Sequence, residues 1–297
     1  MEELNFTRSD SDFMSNGVRC GGWLYKPEGS TNPPVVVMAH GFAAEKTFRL
    51  PAFAEKFIER GVAAFLFDYR CFGSSDGEPR QLVDHMNQLD DWEAAVTHVR
   101  SLDGINKDKI AIWGSSFSGG HVIATAAQVK GITAVVSQVP FVGLTPEEKP
   151  EIGFIIKSLY SAVRDLIRKW TGRKPYYIPV LGEPGSFGLM TTPESLPGYM
   201  AIVPEDSKWE NKCPARVFFS IGSYKPIDYA DKVKCPTLLI AADDDSLIPL
   251  DHVERMASKI ENCTYVHINC NHFEPYVGEK FQEFSKIEAD FLEKHLL

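Results

Sequence analysis

The chain has 297 residues, 44% hydrophobic and 24% charged, the composition of an ordinary globular protein. Its 31 Lys and Arg against 40 Asp and Glu give a net charge of −9, which argues against nucleic acid and anionic lipid as partners. A chain of this length buries about three quarters of its unfolded surface, so it requires no disulfide or metal staple.

The first residues, "MEELNFTRSDSDF", are acidic and polar and lack the basic start and apolar centre of a signal peptide. Short apolar runs then alternate with helical patterns. "PPVVVMAHG" predicts a buried strand, and "LPAFAEKFIERG" a helix ending at Gly61. "VAAFLFDYR" is the next strand, and "MNQLDDWEAAVTHVRSL" an amphipathic helix. "KIAIWG", "SGGHVIATAAQV" and "ITAVVSQVP" follow as strand, helix and strand. Fully apolar runs separated by helices predict a mostly parallel sheet covered on both faces. The longest nearly apolar stretch, "ITAVVSQVPFVGL", is too short to span a membrane. The expectation is a cytoplasmic protein with no membrane partner.

The rhythm breaks after residue 140. "EIGFIIKSLYSAVRDLIRKW" is one amphipathic helix, with Ile152, Ile155, Ile156, Leu159, Val163 and Trp170 on a broad apolar face. "PVLGEPGSFGLMTTPESLPG" is too rich in Pro and Gly to be regular. Alternation resumes with "CPTLLIAADDDSLIP", a helix "LDHVERMASKI", a strand "TYVHIN" and a final helix. This predicts a core of residues 1–140 and 213–297, interrupted by a cap insertion at 141–212. Such insertions sit over the carboxyl edge of the sheet, where ligands bind. A substrate-covering lid is the favoured reading; decoration of an edge or a dimer is the alternative.

The six cysteines form no C-x-x-C pair, so free, mostly buried thiols are expected rather than a zinc cluster or redox couple. Neither a metal nor an organic cofactor is expected.

Residues 110–122, "IAIWGSSFSGGHV", run from a strand into a helix through three serines. A nucleophile on such a strained turn needs small residues two before and two after it. Ser115 has Trp113 before it and is excluded. Ser116 lies between Gly114 and Ser118. Ser118 lies between Ser116 and Gly120 but falls inside the first helical turn. The strand ends at Gly114, and a nucleophile two residues beyond is Ser116.

On this kind of elbow the chain order is serine, acid, histidine. The strand "VVSQVPFVGL" is followed by no carboxylate before Glu147, whereas "LLIAADDDSLIP" offers Asp243, Asp244 and Asp245. Asp245 is favoured because Pro249 opens the next helix four residues later, with Asp244 the alternative. Of eight histidines, four follow Asp245. His252 and His295 fall in helices and His267 in a strand. His272, in the loop "CNHFEPY", can reach back over the elbow. His40, His98 and His121 read as packed side chains. In this arrangement His272 takes the Ser116 proton and Asp245 holds the imidazole. The backbone N–H groups of Phe117 and Phe42 are the expected oxyanion donors.

Taken together, "AHGF", "FDYRCFGSSDGEPR", "IWGSSFSGGH", "AADDDSLIP" and "CNHFEPY" resemble the α/β-hydrolases. The branch that is similar includes bacterial α/β-hydrolases and fungal polyketide transferases. The resemblance implies an α/β-hydrolase fold and cofactor-free acyl-transfer chemistry, with Ser116, Asp245 and His272 at the motif positions. Two positions depart from the pattern: Ser118 stands where the elbow has Gly, and Cys71 where the related turn often has Gly. If that backbone needs a positive φ, Cys71 is strained.

The leading functional expectation is a serine hydrolase whose substrate is a small-molecule acyl ester or thioester. Acyl transfer to an alcohol would use the same residues. A non-catalytic binding protein on this fold is the third possibility. Asp at position 116 would have indicated a dehalogenase or epoxide hydrolase, and Cys a dienelactone hydrolase. A peptidase would need an amine-binding segment, and none is visible.

Overall fold

A computed structural model describes residues 5–144 and 151–297. The opening "MEEL" and Glu147 lie outside the described residues.

Four short strands come first: β1 (Phe6–Asp10), β2 (Phe13–Ser15), β3 (Val18–Cys20) and β4 (Gly22–Pro27). β2 and β3 form a hairpin closed by Asn16 and Gly17, both with positive φ (45° and 78°), as a two-residue hairpin loop demands. β1 and β4 pair antiparallel and form one edge of the main sheet.

The alternating region folds as expected. β5 (Val35–Ala39), α1 (Leu50–Ile58), β6 (Ala63–Phe67), α2 (His85–Ser101), β7 (Ile110–Ser115), α3 (Phe117–Gln128) and β8 (Ala134–Gln138) follow in order. Gly61 adopts φ 80° after α1, and its N–H caps the Ile58 carbonyl. Asp84 caps α2, its carboxylate accepting from the N–H groups of Met86 and Asn87.

The chain then forms α4 (Ile152–Trp170), β9 (Tyr177–Ile178) and α5 (Ser195–Met200) within the expected insertion, and β10 (Cys213–Pro214) and α6 (Val217–Ser223) after it. It returns to the sheet through β11 (Thr237–Ala242), α7 (Leu250–Ala257), β12 (Cys263–Ile268) and α8 (Gly278–Leu296). The main sheet has eight strands in the order β1-β4-β6-β5-β7-β8-β11-β12, parallel from β6 to β12. Every residue of β5, β6, β7, β8 and β11 is buried. α1 packs with α8, and α2 with α3, so both faces of the sheet are covered. This is the α/β-hydrolase fold.

β5 is the point where the order reverses: its neighbours are β6 on one side and β7 on the other. Ala39 pairs with Phe67 and with Gly114. The loops after β5 and β7 therefore leave the carboxyl edge side by side, where open α/β sheets bind ligands.

The expected boundary at 212/213 falls beside a two-stranded sheet, because Cys213 pairs with Ile178 and Pro214 with Tyr177. The cap is anchored by Asp165, buried on α4. Its carboxylate accepts from Arg216 Nε (2.6 Å), the Arg216 N–H (3.0 Å) and the Tyr176 N–H (2.8 Å). The broad apolar face of α4 does not turn inward over the site; Ile152 is 76% exposed and Trp170 75%. The face that meets the protein carries Ser158, Ser161, Ala162 and Asp165. Among the described residues no helix is long and apolar enough to cross a membrane.

Glu288 of α8 is fully buried, and neither carboxyl oxygen has a hydrogen-bond partner among the described residues. Burial pushes its pKa well above the carboxylate range, against the opposing effect of the Trp113 indole N–H. The folded protein therefore holds a proton there that the unfolded chain releases above about pH 4.5. Stability from this site falls as pH rises above that value. We expect Glu288→Gln to gain on the wild type by up to about 1.4 kcal/mol per pH unit over that range. Urea unfolding of both proteins from pH 5 to pH 8 measures this; a difference independent of pH would contradict it.

Candidate active site

The elbow forms because β7 ends in a small residue and α3 begins at once. Ser116 stands at the N-cap of α3 with φ 56° and ψ −120°, a strained conformation for a residue with a Cβ. A Cβ on Gly114 would collide with the Ser118 carbonyl, so position 114 must be Gly. Two backbone bonds pin the turn: the Ser116 N–H donates to the Gln138 carbonyl (2.9 Å), and the Ser116 carbonyl accepts from the Phe141 N–H (2.9 Å).

The three serines have different surroundings. Ser115 is buried behind the elbow, where its hydroxyl meets Tyr276 Oη (2.5 Å) and accepts from Gln138 Nε2 (2.8 Å). Ser118 is fully buried; its hydroxyl shares a hydrogen bond with Tyr69 Oη (2.8 Å), which accepts from Trp92 Nε1 (2.8 Å). Ser116 alone of the three is not fully buried, and its Oγ stands 3.0 Å from His272 Nε2.

His272 Nδ1 lies 2.6 Å from Asp245 Oδ2, and both side chains are 2% exposed. The other oxygen, Oδ1, accepts from the N–H groups of Leu247 and Ile248 at 2.8 Å each. These bonds fix the carboxylate in the turn that leads to Pro249. Asp243 instead pairs with the half-exposed His267 (2.8 Å), and Asp244 is exposed. The structure thus brings Ser116, His272 and Asp245 into one chain of hydrogen bonds.

The backbone N–H groups of Phe42 and Phe117 have no acceptor among the described residues. That of Phe117 opens α3, where the helix leaves donors unsatisfied and the dipole favours negative charge. Gly41 lets the first loop pass the elbow closely: a Cβ there would lie 3.1 Å from Ser116 Cβ. Phe42 and Phe117 pack edge to face with ring centroids 5.4 Å apart.

Two hollows meet at Ser116 and His272. One, of about 420 Å³, is lined by Phe48, Leu50, Tyr199, Ile202, Phe273 and Tyr276. The other, of about 600 Å³, is lined by Phe117, Phe141, Leu144, Leu189, Ile221 and Ile248. Phe42 and Met190 border both. Among the described residues no Asp, Glu, Lys or Arg lines either hollow.

Sequence reasoning missed the cap residues that hold the loop after β5. Tyr199 Oη donates to the Phe42 carbonyl (3.0 Å), and Trp209 Nε1 to the Ala43 carbonyl (2.7 Å). Glu194 accepts from the Ser246 hydroxyl (2.7 Å), next to Asp245. These contacts join residues far apart in sequence within an irregular segment, and no spacing pattern announces them.

The remaining candidates are structural. His121 lies between Tyr224 Oη (2.8 Å) and Gln88 Oε1 (3.0 Å), and burial holds its pKa well below the usual range. Burial drives His40 down to about 4, so it is neutral, with Nδ1 on the Gly41 carbonyl (3.0 Å). All six cysteines are free, and burial raises every thiol, Cys71 to about 11. Cys71 has φ 72°, so the strain foreseen for a non-glycine residue in this turn is present.

Known proteins are similar to this chain in sequence and fold. The quorum-quenching protein AidA of Acinetobacter baumannii (strain MDR-ZJ06) is 40% identical over 286 residues, spanning 96% of this chain and 94% of its own. The thiohydrolase aneE of Aspergillus aculeatus is 34% identical over 183 residues, 60% of this chain and 57% of its own. The polyketide transferase grgF of Penicillium sp is 29% identical over 258 residues, 84% of each chain. Its crystal structure superposes with a TM-score of 0.85 at 26% identity, covering 98% of this chain and 99% of that one. The resemblance to bacterial α/β-hydrolases and fungal polyketide transferases is thereby borne out. Residues 31–270 match the family described as "Serine aminopeptidase, S33", and the chain belongs to that family of α/β-hydrolases.

Proposed function

We propose that the protein is a serine hydrolase that cleaves an uncharged carboxylic ester or thioester through an acyl-enzyme on Ser116. The observation that carries this reading is the Ser116–His272–Asp245 chain at the junction of two apolar, uncharged hollows. His272 accepts the Ser116 proton as Oγ attacks the acyl carbon. Asp245 orients the imidazole and stabilises its cationic form. The N–H groups of Phe42 and Phe117 bind the oxyanion of the tetrahedral intermediate, each contributing about 3 kcal/mol to the transition state. His272 then returns the proton to the leaving alkoxide or thiolate. Water, activated by the same imidazole, releases the acid.

The lining restricts the substrate. An aminopeptidase needs a carboxylate to meet the substrate's ammonium group, and none of the described residues lining the hollows supplies one. Apolar groups on both sides of the scissile bond fit instead. The names of the relatives, a thiohydrolase and a polyketide transferase, are consistent with ester and thioester chemistry. Two hollows at one nucleophile also support a second reading: one holds the acyl group while the other holds an alcohol acceptor. With excess alcohol, ester product exceeding free acid would favour transfer.

Ser116→Ala and His272→Ala are each expected to lower kcat on a p-nitrophenyl acyl ester by at least about a thousandfold, and Asp245→Asn by a similar factor. Full activity in Ser116→Ala would overturn the assignment. Labelling of neither wild type nor variant by a fluorophosphonate would favour a binding protein.

Trp209→Phe removes the hydrogen bond to the Ala43 carbonyl and keeps most of the packing. It is expected to lower kcat about tenfold while KM changes little, because the Phe42 donor acts mainly in the transition state. A raised KM with unchanged kcat would instead place Trp209 in substrate binding.

A further inference from the structure

Helix α4 is inside out. Of the 14 exposed large hydrophobic side chains among the described residues, eight lie on it. Ile152, Ile156, Leu159, Val163, Leu166 and Trp170 succeed one another at steps of four and three, the seam spacing of a helix that packs along another helix. The eight exposed side chains present on the order of 1,000 Å² per copy. A typical monomer's largest apolar patch is about 300–600 Å², whereas each partner in a standard specific interface contributes about 800 Å². The helix cannot roll to hide this face. Rolling would break the buried Asp165 bonds to Arg216 and Tyr176.

We propose that α4 is a dimer interface, and that a second copy of this chain lays its own α4 antiparallel against it. Charge placement selects this occupant over an anionic lipid surface. A helix that binds such a surface carries cations beside its apolar face. Here three of the four on the helix fold back onto the cap: Lys157 Nζ stands 4.3 Å from the Phe187 ring centroid, and the Arg164 guanidinium 4.3 Å from that of Tyr176. Arg168 Nε donates to the Lys174 carbonyl (2.5 Å). The six seam positions carry no charge, as the centre of a protein–protein interface does. A two-fold axis sets this patch against itself, so no other complementary surface is needed.

The direction follows from the helix ends. Lys169 in the last turn, with Arg173 and Lys174 just beyond it, makes the C-terminal end basic, and Glu151 precedes the first turn. Parallel pairing would bring two basic ends together. Antiparallel pairing sets each basic end beside the other copy's Glu151.

Sedimentation equilibrium at micromolar concentration is expected to give twice the chain mass of 33.2 kDa. Leu159→Glu, at the middle of the seam, is expected to be monomeric with unchanged circular dichroism. Val163→Lys provides the same test should Leu159→Glu fail to fold. Met14→Glu, an exposed apolar site on β2, is expected to remain dimeric. A monomeric wild type would overturn the proposal, as would a dimer that survives both seam variants. Monomeric wild type that pellets with phosphatidylglycerol vesicles, and loses this in Leu159→Glu, would assign the face to lipid instead.

Discussion

The backbone of Ser116, at φ 56° and ψ −120°, is the constraint around which the site is organised. A conformation of this kind costs on the order of 1–3 kcal/mol and persists only where its surroundings over-determine it. Here they do. Gly114 leaves room for α3 to start at once, and Gln138 and Phe141 bind the turn on both sides. Ser118, locked to Tyr69 and Trp92, fixes the first helical turn from below. Ser115, Gln138 and Tyr276 tie the elbow to the segment that carries His272. The strain lifts one hydroxyl out of the sheet and places it beside two unsatisfied N–H groups. The sheet register does the rest: Ala39 opposite Gly114 sets the Phe42 loop next to the elbow.

The cap acts on this site in two ways. Its inner residues, Met190, Leu189, Ile221 and Ile202, wall the hollows with apolar surface. Its polar side chains hold the reactive loops, with Tyr199 and Trp209 on the loop after β5 and Glu194 beside Asp245. The inserted segment is thus hydrogen-bonded to the site's loops as well as lining its hollows. Its outer helix is free to serve a different purpose, and α4 spends its apolar face there. Asp165 makes this division possible, because a buried, fully bonded carboxylate is a strong reason for a helix to keep its polar side inward.

Much of this was legible in the sequence, for physical reasons that can be named. Strands buried on both faces are apolar throughout, and the runs at 35–39, 63–67, 110–115, 134–138 and 237–242 announced the parallel sheet. Small residues flanking Ser116, and the strand end before it, separated it from Ser115 and Ser118. The N-terminal strands were passed over because an exposed edge carries little apolar signal, although Asn16-Gly17 marks their hairpin. The α4 pattern revealed a stripe but not the side it faces, since amphipathicity is equally strong either way. The roles of Tyr199 and Trp209 depend on contacts across 157 and 166 residues, which periodicity does not encode. At Cys71 the sequence could pose the question of a positive φ, and only the backbone could answer it.

The central claim is that one hydroxyl, Ser116 Oγ, is the nucleophile. Peptide mapping by mass spectrometry after reaction with a fluorophosphonate tests it most directly, because residues 115, 116 and 118 share one peptide and fragmentation separates them. A single adduct on Ser116 is expected, absent in Ser116→Ala and strongly slowed in His272→Ala. An adduct on Ser115, on Ser118 or on any residue outside this turn would contradict it.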